Sequence, residues 1–195
     1  MEFIKENIQV INENIERAAL NSSRKKEDIT LLGVTKTVDT DAILEAINCG
    51  ITDVGENKPQ ELARKYDVIG DKVRWHLIGT LQTNKVKYII DKVSMIHSLD
   101  REALCEEIQK RAEKIDKTID CLVQVNISKE ESKHGLDKVM VKIPMAPEAS
   151  ISPSFRYRSS VGFAITWARV TCLPGTNSCI IRFFSSSSIK SAHSS

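Results

Sequence analysis

The chain has 195 residues, is 41% hydrophobic and carries a net charge of +2 at pH 7, which fits one well-packed domain and argues against a second full one. No basic cluster marks a nucleic-acid or membrane surface, so we expect a small-molecule partner and binding to neither nucleic acid nor membrane. We also expect a monomer. No apolar stretch approaches the roughly 18 residues that span a bilayer, and the amphipathic, acidic start differs from a signal peptide. We therefore expect a cytoplasmic protein.

The first part of the chain alternates between helical and strand-like patterns. Isoleucines spaced three and four residues apart indicate an opening helix to about Leu20: Ile4, Ile8, Ile11 and Ile15. Apolar segments then predict strands at 29–34, 52–55, 73–78, 95–98 and 119–127, with helices at 41–48, 59–66, 83–91 and 101–115. Five βα steps of this kind imply a parallel sheet, either open and doubly wound or closed into a barrel.

Polar residues at the ends of successive predicted strands favour the barrel. They are Lys36, Glu56 and Asn57, the loop 79–85, and residues 98–100 and 126–128. In a (β/α)₈ barrel the carboxyl ends of the strands converge on one site. We therefore predict an α/β fold of the (β/α)₈ TIM-barrel type, incomplete because only five βα units are readable.

Lys36 is the sharpest chemical candidate. It ends an apolar strand, where its stem would be buried and its amine would lie sheltered at the barrel mouth. An unprotonated amine in that position is a nucleophile for an aldehyde, but a lysine that simply extends into solvent is the ordinary alternative. His76 lies on another apolar strand, where a hydrogen-bonded structural histidine is commoner than a ligand or base. Position alone leaves both assignments open.

Several other chemistries lack their signatures. The glycine-rich nucleotide loops, the nucleophile elbow of hydrolases and the zinc-protease motif are all absent from the sequence. The five cysteines are scattered, and His76, His97 and His134 are far apart along the chain. We therefore expect free thiols and no metal site.

The composition changes near Asp137. Residues 1–137 carry 21 Lys+Arg and 25 Asp+Glu, a net charge of −4, whereas residues 138–195 carry 7 and 1, a net charge of +6. Serine rises from 6 residues before this point to 13 after it. A solvated tail, a different small module, or a reading-frame or splice artefact on a truncated domain would each produce this change, and we favour the last. We therefore divide the chain into a partial barrel at 1–137 and a divergent, basic, serine-rich segment at 138–195, disordered or non-native.

Five ordered segments of the first part can be compared with known families: 32–37, 55–57 with 60–61, 75–85, 97–100, and 124–128 with Glu130, Lys133 and Gly135. Together they resemble the pyridoxal phosphate homeostasis protein family, whose members have an alanine-racemase-type barrel. The segment 75–85 is the most family-specific of them.

The resemblance implies a function and a site. It implies that Lys36 holds pyridoxal 5′-phosphate as a Schiff base, with Asn57 close to the cofactor, and we predict Lys36, Asn57 and His76 as the cofactor-binding residues, with no catalytic residue. The implied role is intracellular vitamin B6 homeostasis without turnover. A racemase-like enzyme and a non-functional truncated product are the alternatives. The serine-rich loop and the arginine-glycine segment that hold the phosphate in this family are not recognisable in residues 138–195.

Overall fold

The computed structural model describes residues 2–126 and four short strands beyond them, at 136–137, 154–155, 168–172 and 179–183, with side chains from residue 3 to residue 124. Four α-helices lie in this part of the chain: α1 (Glu2–Asn21), α2 (Thr40–Asn48), α3 (Pro59–Ile69) and α4 (Glu102–Lys114). The first five strands are β1 (Leu32–Val34), β2 (Asp53–Glu56), β3 (Arg74–Leu77), β4 (Val93–Leu99) and β5 (Ile119–Val123). Further strands are β6 (Val125–Asn126), β7 (Leu136–Asp137), β8 (Ser154–Phe155), β9 (Ala168–Cys172) and β10 (Cys179–Phe183).

Strands β1 to β5 form a parallel sheet in sequence order, with register shifts in the β3–β4 and β4–β5 pairs. Helical segments connect these five strands, which confirms the predicted parallel sheet with helical crossovers and the incomplete barrel, although no helix follows β5 in the described residues. Most boundaries agree with the sequence pattern to within about three residues. The predicted helix at 83–91 is a 3₁₀ helix over Thr83–Tyr88. The predicted strand at 29–34 begins only at Leu32, and the predicted strand at 119–127 divides into β5 and β6, of which β6 pairs with β7 in a separate sheet.

The sheet continues in the opposite direction beyond β5. Strand β10 pairs antiparallel with β5, β9 pairs antiparallel with β10, and β8 pairs antiparallel with β9. These strands therefore differ from the parallel sixth to eighth strands of a (β/α)₈ barrel. Most of residues 138–195 lie outside the described part of the chain, and our prediction that this segment is divergent or non-native stays a prediction.

Local sequence signals fix the helix ends that surround the site. The Asp39 side chain accepts a hydrogen bond of 2.9 Å from the backbone of Ala42 and so caps α2. Gly50 follows α2 with φ of +97°, in the left-handed region that the sequence predicts for this glycine. Pro59 occupies the first turn of α3, where its missing N–H costs nothing.

The core lies between the sheet and the helices. Its buried members from the strands and from α2, α3 and α4 include Val54, Trp75, Leu77, Ile96, Ile119, Ile43, Leu62, Leu104 and Ile108. Helix α1 packs more loosely, because only Ala19 is buried along it and Ile11 of the predicted isoleucine stripe is 42% exposed. In the described residues no helix has the length and apolar character needed to cross a membrane.

Candidate functional site

Lys36 lies directly after β1, at the carboxyl ends of the parallel strands. It is exposed, and within the described residues its amine has no hydrogen bond and no ion pair. The expectation of a buried stem and a sheltered amine is therefore wrong. The physical reason is that β1 is the first strand of the sheet order, and no described strand pairs with its outer edge to cover Lys36.

Asn57 follows β2 at the same rim. Val34 pairs with Gly55 in the parallel register, and Lys36 and Asn57 each come two residues after this pair, beyond the ends of their strands. Asn57 is also exposed. The sequence was therefore sufficient to bring these two predicted residues to one edge of the sheet, although no hydrogen bond joins them in the described structure.

His76 lies one layer below this rim, because it pairs with Gly55 rather than with Asn57. Its Nε2 lies 2.9 Å from Asp53 Oδ1, and its Nδ1 lies 2.9 Å from His97 Nε2. Both ring nitrogens are thus engaged by protein groups. A direct hydrogen bond from this ring to a ligand would have to replace one of these contacts, and the role of His76 in binding stays a prediction.

Asp53 is the centre of a polar network that the sequence analysis missed. It is 1% exposed and accepts hydrogen bonds of 2.8 Å from both Nε and Nη2 of Arg74 and one of 2.7 Å from Thr52. Because strand side chains alternate, Asp53 shares a face with Gly55, and Arg74 shares a face with His76. That alternation was the signal in the sequence that could have found the network.

Burial keeps the two histidines of the network neutral, although the hydrogen bond to Asp53 opposes this effect by raising the pKa of His76. Burial, the largest effect, lowers the pKa of His76, and burial together with the neighbouring His76 lowers the pKa of His97 to about 4. Burial alone would raise the pKa of Asp53, but hydrogen bonds from Arg74, Thr52 and His76 hold it below its usual value. We assign the proton of His76 to Nε2, facing the Asp53 carboxylate, so that Nδ1 accepts a hydrogen bond from Nε2–H of His97.

Although His76 and His97 are dispersed along the sequence, the fold brings them into edge-to-face contact, with ring centroids 5.1 Å apart. His134 lies outside the described residues. Across the described side chains, no group of three or more histidine, cysteine or acidic residues is arranged to hold a metal ion. The histidine pair is therefore part of a hydrogen-bonded network rather than a recognisable metal site.

The loop after β3 is fastened to its neighbours beside Asn57. Ser98 Oγ donates a hydrogen bond of 2.6 Å to the carbonyl of Gly79, and Arg101 Nη2 donates one of 2.7 Å to the carbonyl of Leu81. A Cβ atom on Gly79 would lie 2.9 Å from the Cα of Asn57. Only glycine therefore lets this loop lie against the backbone of Asn57.

Comparison with known proteins covers the same part of the chain. Pyridoxal phosphate homeostasis proteins match over 138 residues at 44% identity in Aquifex aeolicus and over 140 residues at 34% identity in Escherichia coli, in each case over 70% of this chain. This stretch is related to the pyridoxal phosphate homeostasis proteins. The chain spans about 60% of the length of these two relatives. No family model matches the chain.

Two solved structures also resemble this chain. An unknown protein from Bifidobacterium adolescentis superposes with a TM-score of 0.63 at 33% identity, covering 69% of this chain and 59% of that one. PipY from Synechococcus elongatus, in a structure with pyridoxal phosphate bound, superposes with a TM-score of 0.53 at 31% identity, covering 63% of this chain and 57% of that one. The name of these relatives refers to pyridoxal phosphate homeostasis and does not specify an enzymatic reaction.

Proposed function

We propose that this chain binds pyridoxal 5′-phosphate at the rim formed by β1 and β2 and contributes to vitamin B6 homeostasis, with Lys36 as the residue that bonds to the cofactor. The observation that carries the proposal is an exposed lysine amine, without a protein partner in the described residues, following β1. It occurs in a chain related to homeostasis proteins and to PipY, which has been solved with pyridoxal phosphate bound. Asn57, at the same rim, is proposed as a cofactor contact.

The residues present fit the aldehyde end of the cofactor. When bound, pyridoxal phosphate would supply an electrophilic aldehyde carbon, and an accessible lysine amine bonds to it in its unprotonated form. The side chain of Lys36 is exposed and unpaired within the described part of the chain, so its amine is accessible to the aldehyde. The nitrogen of Lys36 bonds to the aldehyde carbon, and the aldehyde oxygen leaves as water.

We also propose that binding occurs without turnover. Racemisation on a lysine-bound cofactor needs a second acid or base on the opposite face. On the interior face below Lys36, the described titratable side chains include His76 and His97, which are hydrogen-bonded to each other, and His76 also to Asp53. These contacts favour a structural role for the two histidines over proton transfer at the rim.

The test is a titration of the full chain with pyridoxal 5′-phosphate, followed by borohydride reduction and mass-spectrometric mapping of the adduct. We expect a visible absorbance band that saturates, is altered by reduction, and maps to Lys36. Lys36→Ala should abolish the band. Lys58→Ala is the matched control, because Lys58 is an exposed lysine beside the same rim, and it should bind normally.

The outcomes separate this proposal from its alternatives. An adduct that persists in Lys36→Ala would remove Lys36 from its central position. Racemisation of any amino acid by the purified protein, lost in Lys36→Ala, would replace the homeostasis function with an enzymatic one. Absence of saturable binding by a cooperatively unfolding wild type would indicate a product that folds but has lost the site.

A further inference from the structure

A buried ion pair lies on the helix side of the sheet, next to the residue that precedes Lys36. Lys65 of α3 and Glu56 at the end of β2 are joined at 2.5 Å between Nζ and Oε1, and each side chain is only 2% exposed. Burying two charges is costly even when they are paired, and an apolar pair of similar volume is often as stable. The stability of the fold therefore does not account for charged groups at this position.

The ion pair closes a ring of hydrogen bonds around Thr35. Lys65 Nζ donates a bond of 2.7 Å to the backbone carbonyl of Thr35, and the hydroxyl of Thr35 donates one of 2.7 Å to Glu56 Oε1. Thr35 is itself 7% exposed. Its carbonyl belongs to the peptide group that links Thr35 to Lys36, so the lysine of α3 directly fixes the orientation of that peptide.

The same carbonyl also closes the turn that contains Lys36. The backbone N–H of Val38 donates to the carbonyl of Thr35 at 3.0 Å, which makes Lys36 the second residue of a four-residue turn. Thr37, the third residue, has a φ of +65°, a conformation that is strained for a β-branched side chain. Backbone strain of this kind persists only where the surrounding contacts hold the turn in place.

These contacts define how the Lys36 side chain leaves the backbone. On one side the peptide plane is held by Lys65 and Val38, and Thr35 N–H is bonded to the carbonyl of Gly55 at 3.0 Å. On the other side of Lys36 lies Thr37, whose backbone is strained. The direction of the Lys36 side chain is therefore set by buried groups, although its amine is exposed.

We infer that Lys65 and Glu56 are positioning residues that hold the backbone of Lys36 in the orientation needed for its amine to reach the aldehyde of the cofactor. The inference rests on the proposed function of Lys36. Neither residue touches the cofactor in this scheme, since both side chains are buried, each only 2% exposed, whereas Lys36 is exposed. Their effect is exerted through the carbonyl and the hydroxyl of Thr35.

The experiment separates positioning from stability with a pair of matched variants. Lys65→Met leaves the Glu56 carboxylate buried without its cation, and we expect this variant to be strongly destabilised. The double variant Lys65→Met with Glu56→Gln removes both charges and keeps an acceptor for the Thr35 hydroxyl, so most of the stability should return. The hydrogen bond from Lys65 to the carbonyl of Thr35 is absent from both variants.

The deciding measurement is the second-order rate constant of adduct formation with pyridoxal 5′-phosphate, followed by visible absorbance on folded protein. We expect the double variant to react about tenfold more slowly than the wild type, since misplacing a reacting group costs tenfold to a hundredfold. Thr35→Val removes the hydroxyl that donates to the Glu56 carboxylate and leaves the bond from Lys65 to the Thr35 carbonyl, so it should slow the reaction by less than the double variant, about threefold. Leu62→Ala destabilises the same face of α3 without touching the ring and should react at the wild-type rate.

The outcomes distinguish this inference from the proposed function. A wild type that forms no adduct on Lys36 would overturn both. A wild type that reacts through Lys36, with unchanged rate constants in the double variant and in Thr35→Val, would overturn the positioning role alone. Should the double variant not fold cooperatively, the rate constant of Thr35→Val decides. An equal slowing in Leu62→Ala would show that general loosening of α3, rather than the ring around Thr35, controls the amine, and this too would overturn the inference.

Discussion

Stability should fall in mildly acidic solution because His97 is held neutral in the folded protein. The pKa of this histidine is lowered from 6.5 to about 4 by burial and by His76. Between these values the unfolded chain binds a proton that the folded chain does not, so the free energy of unfolding decreases as the pH falls. The contribution is fully present above pH 6.5 and is lost progressively as the pH falls toward 4.

The full shift would correspond to about 3 kcal/mol. Since His97 is partly accessible to solvent, screening reduces this figure, and we expect a loss of about 1–2 kcal/mol between pH 7 and pH 4.5. Asp53, whose pKa is lowered, keeps its contribution in this range and loses it below about pH 4. The contributions of His97 and Asp53 to the pH dependence of stability are therefore separated in pH.

The assay is urea unfolding at a series of pH values, for the wild type and for His97→Gln. The amide nitrogen of glutamine can donate to Nδ1 of His76 as His97 Nε2 does, but glutamine does not titrate. We expect the variant to lose about half of the pH dependence and His76 to account for the remainder, because burial also lowers the pKa of His76. Superimposable pH profiles for the two proteins would refute this reasoning.

Three further substitutions test the backbone and the network. Gly79→Ala should destabilise the protein by about 1–3 kcal/mol and disturb the Asn57 backbone. The control variant Thr80→Ala, at an exposed neighbouring residue, should leave the urea midpoint unchanged. An unchanged midpoint in Gly79→Ala would contradict the close contact between Gly79 and the Asn57 backbone. Thr37→Asn should raise the free energy of unfolding by about 0.5–1 kcal/mol, because asparagine tolerates positive φ better than threonine, and a decrease would show that the side chain of Thr37 is needed. Asp53→Asn should lower the free energy of unfolding by about 2–3 kcal/mol at pH 7, because its charge-assisted hydrogen bonds are lost. A smaller decrease, measured by thermal unfolding, would show that Arg74 forms a hydrogen bond with another group.

Local pattern was enough to predict the architecture of the first 126 residues. The apolar run before Lys36 and the glycine after α2 each specify a strand end or a helix end through short-range chemistry. The rim with Lys36 and Asn57 followed from the rule that parallel strands end on one side of a sheet.

The contacts across strands and helices were not predictable in the same way. The partners of Lys65 lie 9 and 30 residues away in sequence, at Glu56 and Thr35, and nothing in the amphipathic pattern of α3 distinguishes a buried lysine from a solvated one. The contact between His76 and His97 depends on the register of β3 and β4, which periodicity does not fix. The exposure of Lys36 depends on which strands flank β1, a property of the whole sheet.

The reversal of direction after β5 limits what the distal part of the sheet can offer a ligand. Strand β10 runs antiparallel to β5, and β9 runs parallel to β5, so in the described part of this pair the ends at Cys172 and Cys179 face the same side as Lys36. Three parallel strands would instead direct three separate carboxyl ends, each followed by its own helix, toward that side. Among the described residues, a phosphate group near Lys36 would therefore find one pair of strand ends on this side of the distal sheet, where a complete barrel has three separate ones.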